Sequence, residues 1–121
     1  MHLQESGEMY LEAILVLSQR GKPVRSIDVS EYLGYTKPSV SRAMSLLRSG
    51  GYVIMDKDSY LTLTDVGLEV AERVYERHRV LSSLFMELGV SEETATEDAC
   101  RIEHVISEET FEAIKNHFGV K

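Results

Sequence analysis

The chain has 121 residues, enough for one compact domain or for a small domain with a helical extension. Its 43% hydrophobic content is ordinary for a globular protein, no apolar run approaches the roughly 20 residues of a membrane span, and a single cysteine excludes an internal disulfide framework. The net charge of −7 argues, taken whole, against a nucleic-acid partner. Its distribution argues the other way. Residues 20–58 carry seven bases against four acids, net +3, whereas residues 1–19 sum to −3, 59–88 to −2 and 89–121 to −5. A basic block between acidic flanks points to two tasks in one chain. Met1 to Gly7 is polar and lacks the basic-then-apolar order of a signal peptide, so the expected location is cytoplasmic.

From about Glu5 to Gln19, Met9, Tyr10, Leu11, Ala13, Ile14, Leu15, Val16 and Leu17 fill a helix that Gly21 and Pro23 stop. Ser26 reads as the N-cap of a short helix whose apolar side is Ile27, Val29, Tyr32 and Leu33, with Gly34 as its stop. After Tyr35-Thr36-Lys37, Pro38 suits a first helical position. The helix it begins buries Val40, Ala43, Met44 and Leu47, turns Ser39, Ser41, Arg42 and Ser45 outward, and ends at Gly50-Gly51. Two short helices joined by a tight, glycine-containing turn are a helix-turn-helix pattern. Tyr52-Val53-Ile54-Met55 and Tyr60-Leu61-Thr62-Leu63 then favour strand on either side of the turn-forming Asp56-Lys57-Asp58-Ser59, which adds a wing.

Thr64 or Asp65 caps a helix running to about Leu88, about 36 Å long at 1.5 Å per residue. His78 sits on it, between Arg77 and Arg79. Gly89 ends it, and Ser91-Glu92-Glu93-Thr94 begins a further helix expected to stop near Ile106. Ser107-Glu108-Glu109-Thr110 begins a last one, whose Phe111, Ile114 and Phe118 form a stripe suited to an oligomer surface. The expected fold is therefore mainly α with a small β-hairpin: a winged helix-turn-helix over residues 1–64 and a helical domain over 65–121. No glycine-rich phosphate loop or repeat is present.

On the helix after Ser91, Cys100, Glu103 and His104 stand at i, i+3 and i+4 and so share one face. Thiol, carboxylate and imidazole together suit a divalent transition metal. The same spacing also fits a small buried cysteine beside two solvated polar residues. Three ligands from one helix leave a coordination sphere open. Met9 and Glu12, three apart on the first helix, are further candidates, although a methionine there also serves as core filling.

With Glu8-Met9-Tyr10-Leu11-Glu12 at the start, Pro38-Ser39-Val40-Ser41 in the second helix of the motif, Leu63-Thr64 before Gly67, Arg77-His78, and Ala99-Cys100-Arg101-Ile102-Glu103-His104-Val105, the chain resembles the diphtheria-toxin-repressor family over nearly its whole length. The resemblance implies a metal-activated transcriptional repressor, not an enzyme. It implies a homodimer with a winged helix in front and a helical metal-binding and dimerisation domain behind, in a short form without the SH3-like third domain. It carries a primary metal site onto Met9, Cys100, Glu103 and His104, the sulfur-containing version of the iron branch. A second site falls on Glu12, His78 and Glu103 with Cys100, nearer the manganese branch, because Ser82 and Thr96 stand where iron-branch ligands would be. Sulfur ligands favour Fe²⁺ first; Mn²⁺ comes next, and Zn²⁺ or other ions can substitute in vitro.

The expected mechanism is that metal orders the dimer so that its two recognition helices match a palindromic operator in double-stranded DNA, about one helical turn apart or a multiple of it. Arg42 is the candidate base reader. Thr36, Ser39 and Ser41 are candidates for phosphates, Pro38 for a thymine methyl, and Lys37, Arg48 and Lys57 for nonspecific attraction. Two alternatives stay open: a winged-helix regulator with Cys100 as a redox switch, and an interaction module that binds no DNA.

Overall fold

A computed structural model describes residues 5–118; the few residues at either end of the chain lie outside the described residues. The element order is α1 (Glu5–Ser18), α2 (Ser26–Leu33), α3 (Lys37–Ser49), β1 (Val53–Met55), β2 (Leu61–Leu63), α4 (Asp65–Glu87), α5 (Glu92–Ile102) and α6 (Glu108–Phe118). The chain divides into two compact units, Met1–Glu72 and Arg73–Lys121. The mainly helical class with one hairpin agrees with the sequence reading.

In the first unit, α1, α2 and α3 enclose Leu11, Ile14, Val29, Val40, Met44 and Leu47, all buried. Two helix starts differ from expectation by a residue. Arg25, not Ser26, is the N-cap of α2, because its extended backbone lets the Asp28 carboxylate accept its N–H at 2.8 Å. Lys37, not Pro38, is the first residue of α3, because the Thr36 side chain already accepts the Ser39 N–H. Gly34 ends α2 in the left-handed region, at φ 74°.

The wing is an antiparallel pair with Val53 opposite Leu63 and Met55 opposite Leu61. Leu61 N–H also donates to the Val24 carbonyl at 2.7 Å, which ties the hairpin to the segment before α2. At the tip, Asp56 Oδ1 accepts the N–H groups of Asp58 and Tyr60, both at 2.9 Å, leaving Lys57 exposed. The exit from the wing is tight. A Cβ on Gly67 would lie 2.0 Å from the Tyr52 carbonyl oxygen, so only glycine fits there.

In the second unit, Val74, Val80, Leu81, Leu84, Ala95, Ala99 and Phe111 are buried. Gly89, at φ 99°, reverses the chain after α4, and Val90 N–H returns to the Phe85 carbonyl at 3.0 Å. Ser91 caps α5 through the Thr94 N–H. Two expectations need correction here. The cysteine-bearing helix stops at Ile102, short of Ile106, so Glu103 is its C-cap and His104 lies beyond it. The Phe111, Ile114, Phe118 stripe is also divided: Phe111 is buried beneath Arg77 and Lys115, while Phe118 remains exposed.

Candidate metal centre and nucleic-acid interface

The second unit gathers three of the expected ligands. α4 supplies His78, α5 supplies Cys100, and the C-cap of α5 supplies Glu103. His78 Nδ1 lies 2.8 Å from Glu103 Oε2 and 3.8 Å from Cys100 Sγ. The ligand atoms of His78, Cys100 and Glu103 all lie within 4.8 Å of one another. On the other side of the same carboxylate, His104 Nε2 stands 3.3 Å from Glu103 Oε1. Glu103 therefore presents one oxygen to each histidine.

Burial sharpens the chemistry. The Glu103 side chain is 1% exposed and that of His104 is 3% exposed. A carboxylate withdrawn from water needs a compensating positive charge or a set of donors. In the metal-free chain the proton on His78 provides part of it. The Cys100 sulfur and then the Glu103 carboxylate push His78 up to about 10, against a smaller opposing effect of burial. Sulfur, imidazole nitrogen and carboxylate oxygen around one buried anionic centre form a donor set that fits a borderline divalent transition metal. Cys100 itself is exposed and free.

A residue that the ligand pattern leaves out holds this cluster in place. Arg77 is buried and reaches the end of α5, with Nη1 donating to the Glu103 carbonyl at 3.3 Å and to the Ile106 carbonyl at 2.7 Å. Its Nη2 donates to Glu108 Oε2 at 3.0 Å, which lowers the Glu108 carboxyl below its ordinary value. Helix α4 thus grips Glu103 twice, at its carbonyl through Arg77 and at its carboxylate through His78. α5 stops early as its last turn tightens: the Val105 and Ile106 N–H groups both donate to the Ile102 carbonyl at 3.0 Å, and the guanidinium caps the carbonyls beyond it. A sequence signal existed: Arg77 interrupts the buried series Val74, Leu81 and Leu84 at an inward-facing position.

Met9 and Glu12 both lie on α1 in the first unit and are half-buried. Tyr35 Oη donates to Met9 Sδ at 3.1 Å. In the same unit Lys37, Pro38, Ser39, Ser41, Arg42 and Arg48 occupy the exposed side of α3, and Lys57 stands at the wing tip. α3 carries no acid and includes Arg48 in its last turn. Thr36 and Ser39 are partly engaged with each other, since Thr36 Oγ1 donates to Ser39 Oγ at 2.9 Å.

Residues 2–61 match the family described as iron dependent repressor, N-terminal DNA binding domain, and residues 64–120 match its metal binding and dimerisation domain. The chain belongs to the iron-dependent repressor family. An HTH-type transcriptional regulator of Methanocaldococcus jannaschii is 31% identical over 115 residues, covering 93% of this chain and 92% of that one. The iron-dependent repressor IdeR of Mycobacterium tuberculosis is 32% identical over 108 residues, 88% of this chain and 47% of its own length. The solved structure of the manganese regulator SloR superposes with a TM-score of 0.86 at 25% identity, covering all of this chain and 56% of SloR. The chain thus spans about half the length of the latter two. Membership brings a DNA-binding domain and a metal-binding and dimerisation domain together in a family of transcriptional repressors, not enzymes. These relatives lend no support to the redox-switch or non-DNA-binding alternatives. No described helix is long and apolar enough to cross a membrane.

Proposed function

We propose that this repressor is a divalent-metal sensor whose ligands are His78, Cys100, Glu103 and His104, completed by Met9 and Glu12 of α1. The observation that carries the reading is the buried Glu103 carboxylate, which faces a histidine nitrogen on each side with the Cys100 sulfur beside it. A bound cation would supply the positive charge that this carboxylate needs and would favour one set of directions for the surrounding side chains. Fe²⁺ is the preferred ion because a thioether and a thiol are soft donors. Mn²⁺ ranks next because Glu12 and Glu103 are hard ones. The relatives divide the same way, with an iron-dependent repressor and a manganese regulator among them.

In this reading Met9 and Glu12 link the metal state to the unit that carries α3. Two copies of α3 in a homodimer then meet successive major-groove faces of a palindromic operator. Arg42 reads a base edge and Pro38 meets a thymine methyl. Thr36, Ser39 and Ser41 bond phosphates, while Lys37, Arg48 and Lys57 supply salt-sensitive attraction. The working compartment is the cytoplasm, where DNA and a reduced Cys100 coexist.

The test is selection of a duplex from a random DNA library with the full chain, followed by titration of that duplex in Fe²⁺ (anaerobically), Mn²⁺, Zn²⁺ or chelator. Metal is expected to raise affinity about 5- to 150-fold, the range of a typical coupling between sites. Equal affinity in chelator and in excess metal would overturn the proposal.

A further inference from the structure

The turn of the helix-turn-helix carries a side chain that reaches back to α1. Tyr35 lies between the left-handed Gly34 that ends α2 and Thr36, the N-cap of α3. Its backbone is anchored at that turn: its N–H donates to the Ser30 carbonyl at 3.2 Å, and its own carbonyl accepts the Ser30 hydroxyl. Its ring meets the Tyr10 ring edge-on, with centroids 5.9 Å apart and planes at 70°. Its hydroxyl donates to Met9 Sδ at 3.1 Å. Two consecutive residues of α1, Met9 and Tyr10, therefore both touch the residue that leads into the recognition helix.

The direction of the hydroxyl is informative. Tyr35 is 40% exposed, so water could satisfy its phenol, yet the phenol meets a thioether, a weak acceptor. A methionine side chain has three rotatable bonds and ordinarily samples many rotamers. The hydrogen bond selects one of them, and it uses only one of the two lone pairs on the sulfur. The other remains free to donate.

We propose that Tyr35 is a positioning residue for metal sensing: it holds the Met9 thioether ready to ligate and transmits the state of that sulfur to the N-terminus of α3. This rests on Met9 being a ligand, as proposed above. Ligation that moves the sulfur moves the phenol, and the phenol is covalently one residue away from the cap that starts α3. Absence of the hydroxyl leaves the ring packing against Tyr10 and the Ser30 bonds intact, so the Tyr35→Phe chain keeps its fold.

A double-mutant cycle on the full chain tests this, with Co²⁺ as the probe and the absorption of thiolate-bound Co²⁺ as the signal. Cys100 supplies that signal whether or not Met9 is present. Met9→Leu is expected to weaken Co²⁺ binding at least about tenfold. Tyr35→Phe is expected to weaken it roughly two- to fivefold when Met9 is present, the range of one modest hydrogen bond, and to have no effect when Leu occupies that position. If Met9→Leu leaves Co²⁺ affinity unchanged, the ligand assignment fails and the role of Tyr35 with it. If Met9→Leu weakens binding while Tyr35→Phe is silent, or acts equally in both backgrounds, the ligand assignment stands and the role of Tyr35 is refuted. Transmission has its own readout. Zn²⁺ addition is expected to shift the backbone amide resonances of Thr36, Ser39 and Val40 in the native chain, and at least half of that shift should vanish in Tyr35→Phe. An undiminished shift would refute the coupling. Matching circular dichroism and melting temperature of the metal-free variants would show that neither substitution acts by unfolding.

Discussion

Replacing Glu103 by glutamine is the sharpest perturbation of the candidate centre, because it preserves shape and removes only the charge. In the metal-free chain the carboxylate is 1% exposed and faces His78 Nδ1 at 2.8 Å and His104 Nε2 at 3.3 Å. The amide oxygen can still accept from one histidine, and a buried charge that needed compensation is gone. The metal-free stability should therefore change by only about 1–2 kcal/mol, the scale of one altered buried hydrogen bond. Metal-induced stabilisation should behave differently. At a free metal concentration of about 100 Kd, binding to the folded state alone contributes about 2.7 kcal/mol. If loss of the anionic ligand weakens affinity about 100-fold, the same concentration equals the new Kd, and the contribution falls to about 0.4 kcal/mol. At roughly 4 °C per kcal/mol for a chain of this size, a metal-dependent rise of about 11 °C should shrink to below about 2 °C. Thermal denaturation with Mn²⁺, or with Fe²⁺ under anaerobic conditions, against chelator measures both quantities. A Glu103→Gln chain that kept the full metal-dependent rise would show that this carboxylate is not a ligand.

Three further outcomes follow from the same geometry. Arg77→Met deprives the Glu103 and Ile106 carbonyls and the Glu108 carboxylate of their donor. It should cost about 2–4 kcal/mol, a fall in melting temperature of about 8–16 °C, and Arg77→Lys should restore only part because a single ammonium lacks the fork; an unchanged melting temperature would refute the clamp. His78 titrates near 10 when folded, above its unfolded value near 6.5, so the stabilisation it provides is complete below about pH 6.5 and is lost as pH rises through about 10. The metal-free melting temperature should therefore decline between pH 7 and 10, and His78→Ala should flatten that decline. Metal must displace the same proton, so apparent metal affinity should climb at least about tenfold per pH unit over pH 7–9; a pH-independent affinity measured by calorimetry would contradict this. On the DNA side, Arg42→Ala should cost about 1–3 kcal/mol on the selected duplex and relax preference at one base pair, whereas Lys57→Ala should weaken all duplexes alike and lower the salt slope by about 1. Equal behaviour of the two variants would remove Arg42 from base reading.

Local signals were legible along the chain because they act within a few residues. The 3.6-residue spacing of apolar positions marked α1, α3 and α4; Gly34 and Gly89 marked reversals through the left-handed backbone they permit; and Asp56 to Ser59 marked the wing tip. The i, i+3, i+4 spacing of Cys100, Glu103 and His104 marked the stretch whose side chains gather with His78, and the basic block over residues 20–58 lies in the half that matches a DNA-binding domain. What spacing along the chain could not supply was the fate of groups paired across it. Three decisions belong to tertiary structure: that Glu103 is buried with a histidine on each carboxylate oxygen, that Arg77, 25 residues before the end of α5 at Ile102, caps the carbonyls beyond it, and that Tyr35 turns its hydroxyl to Met9, 26 residues away. Periodicity assigns a face to each side chain. Only packing decides which donor meets which acceptor across the chain, because that pairing depends on where elements remote in sequence come together.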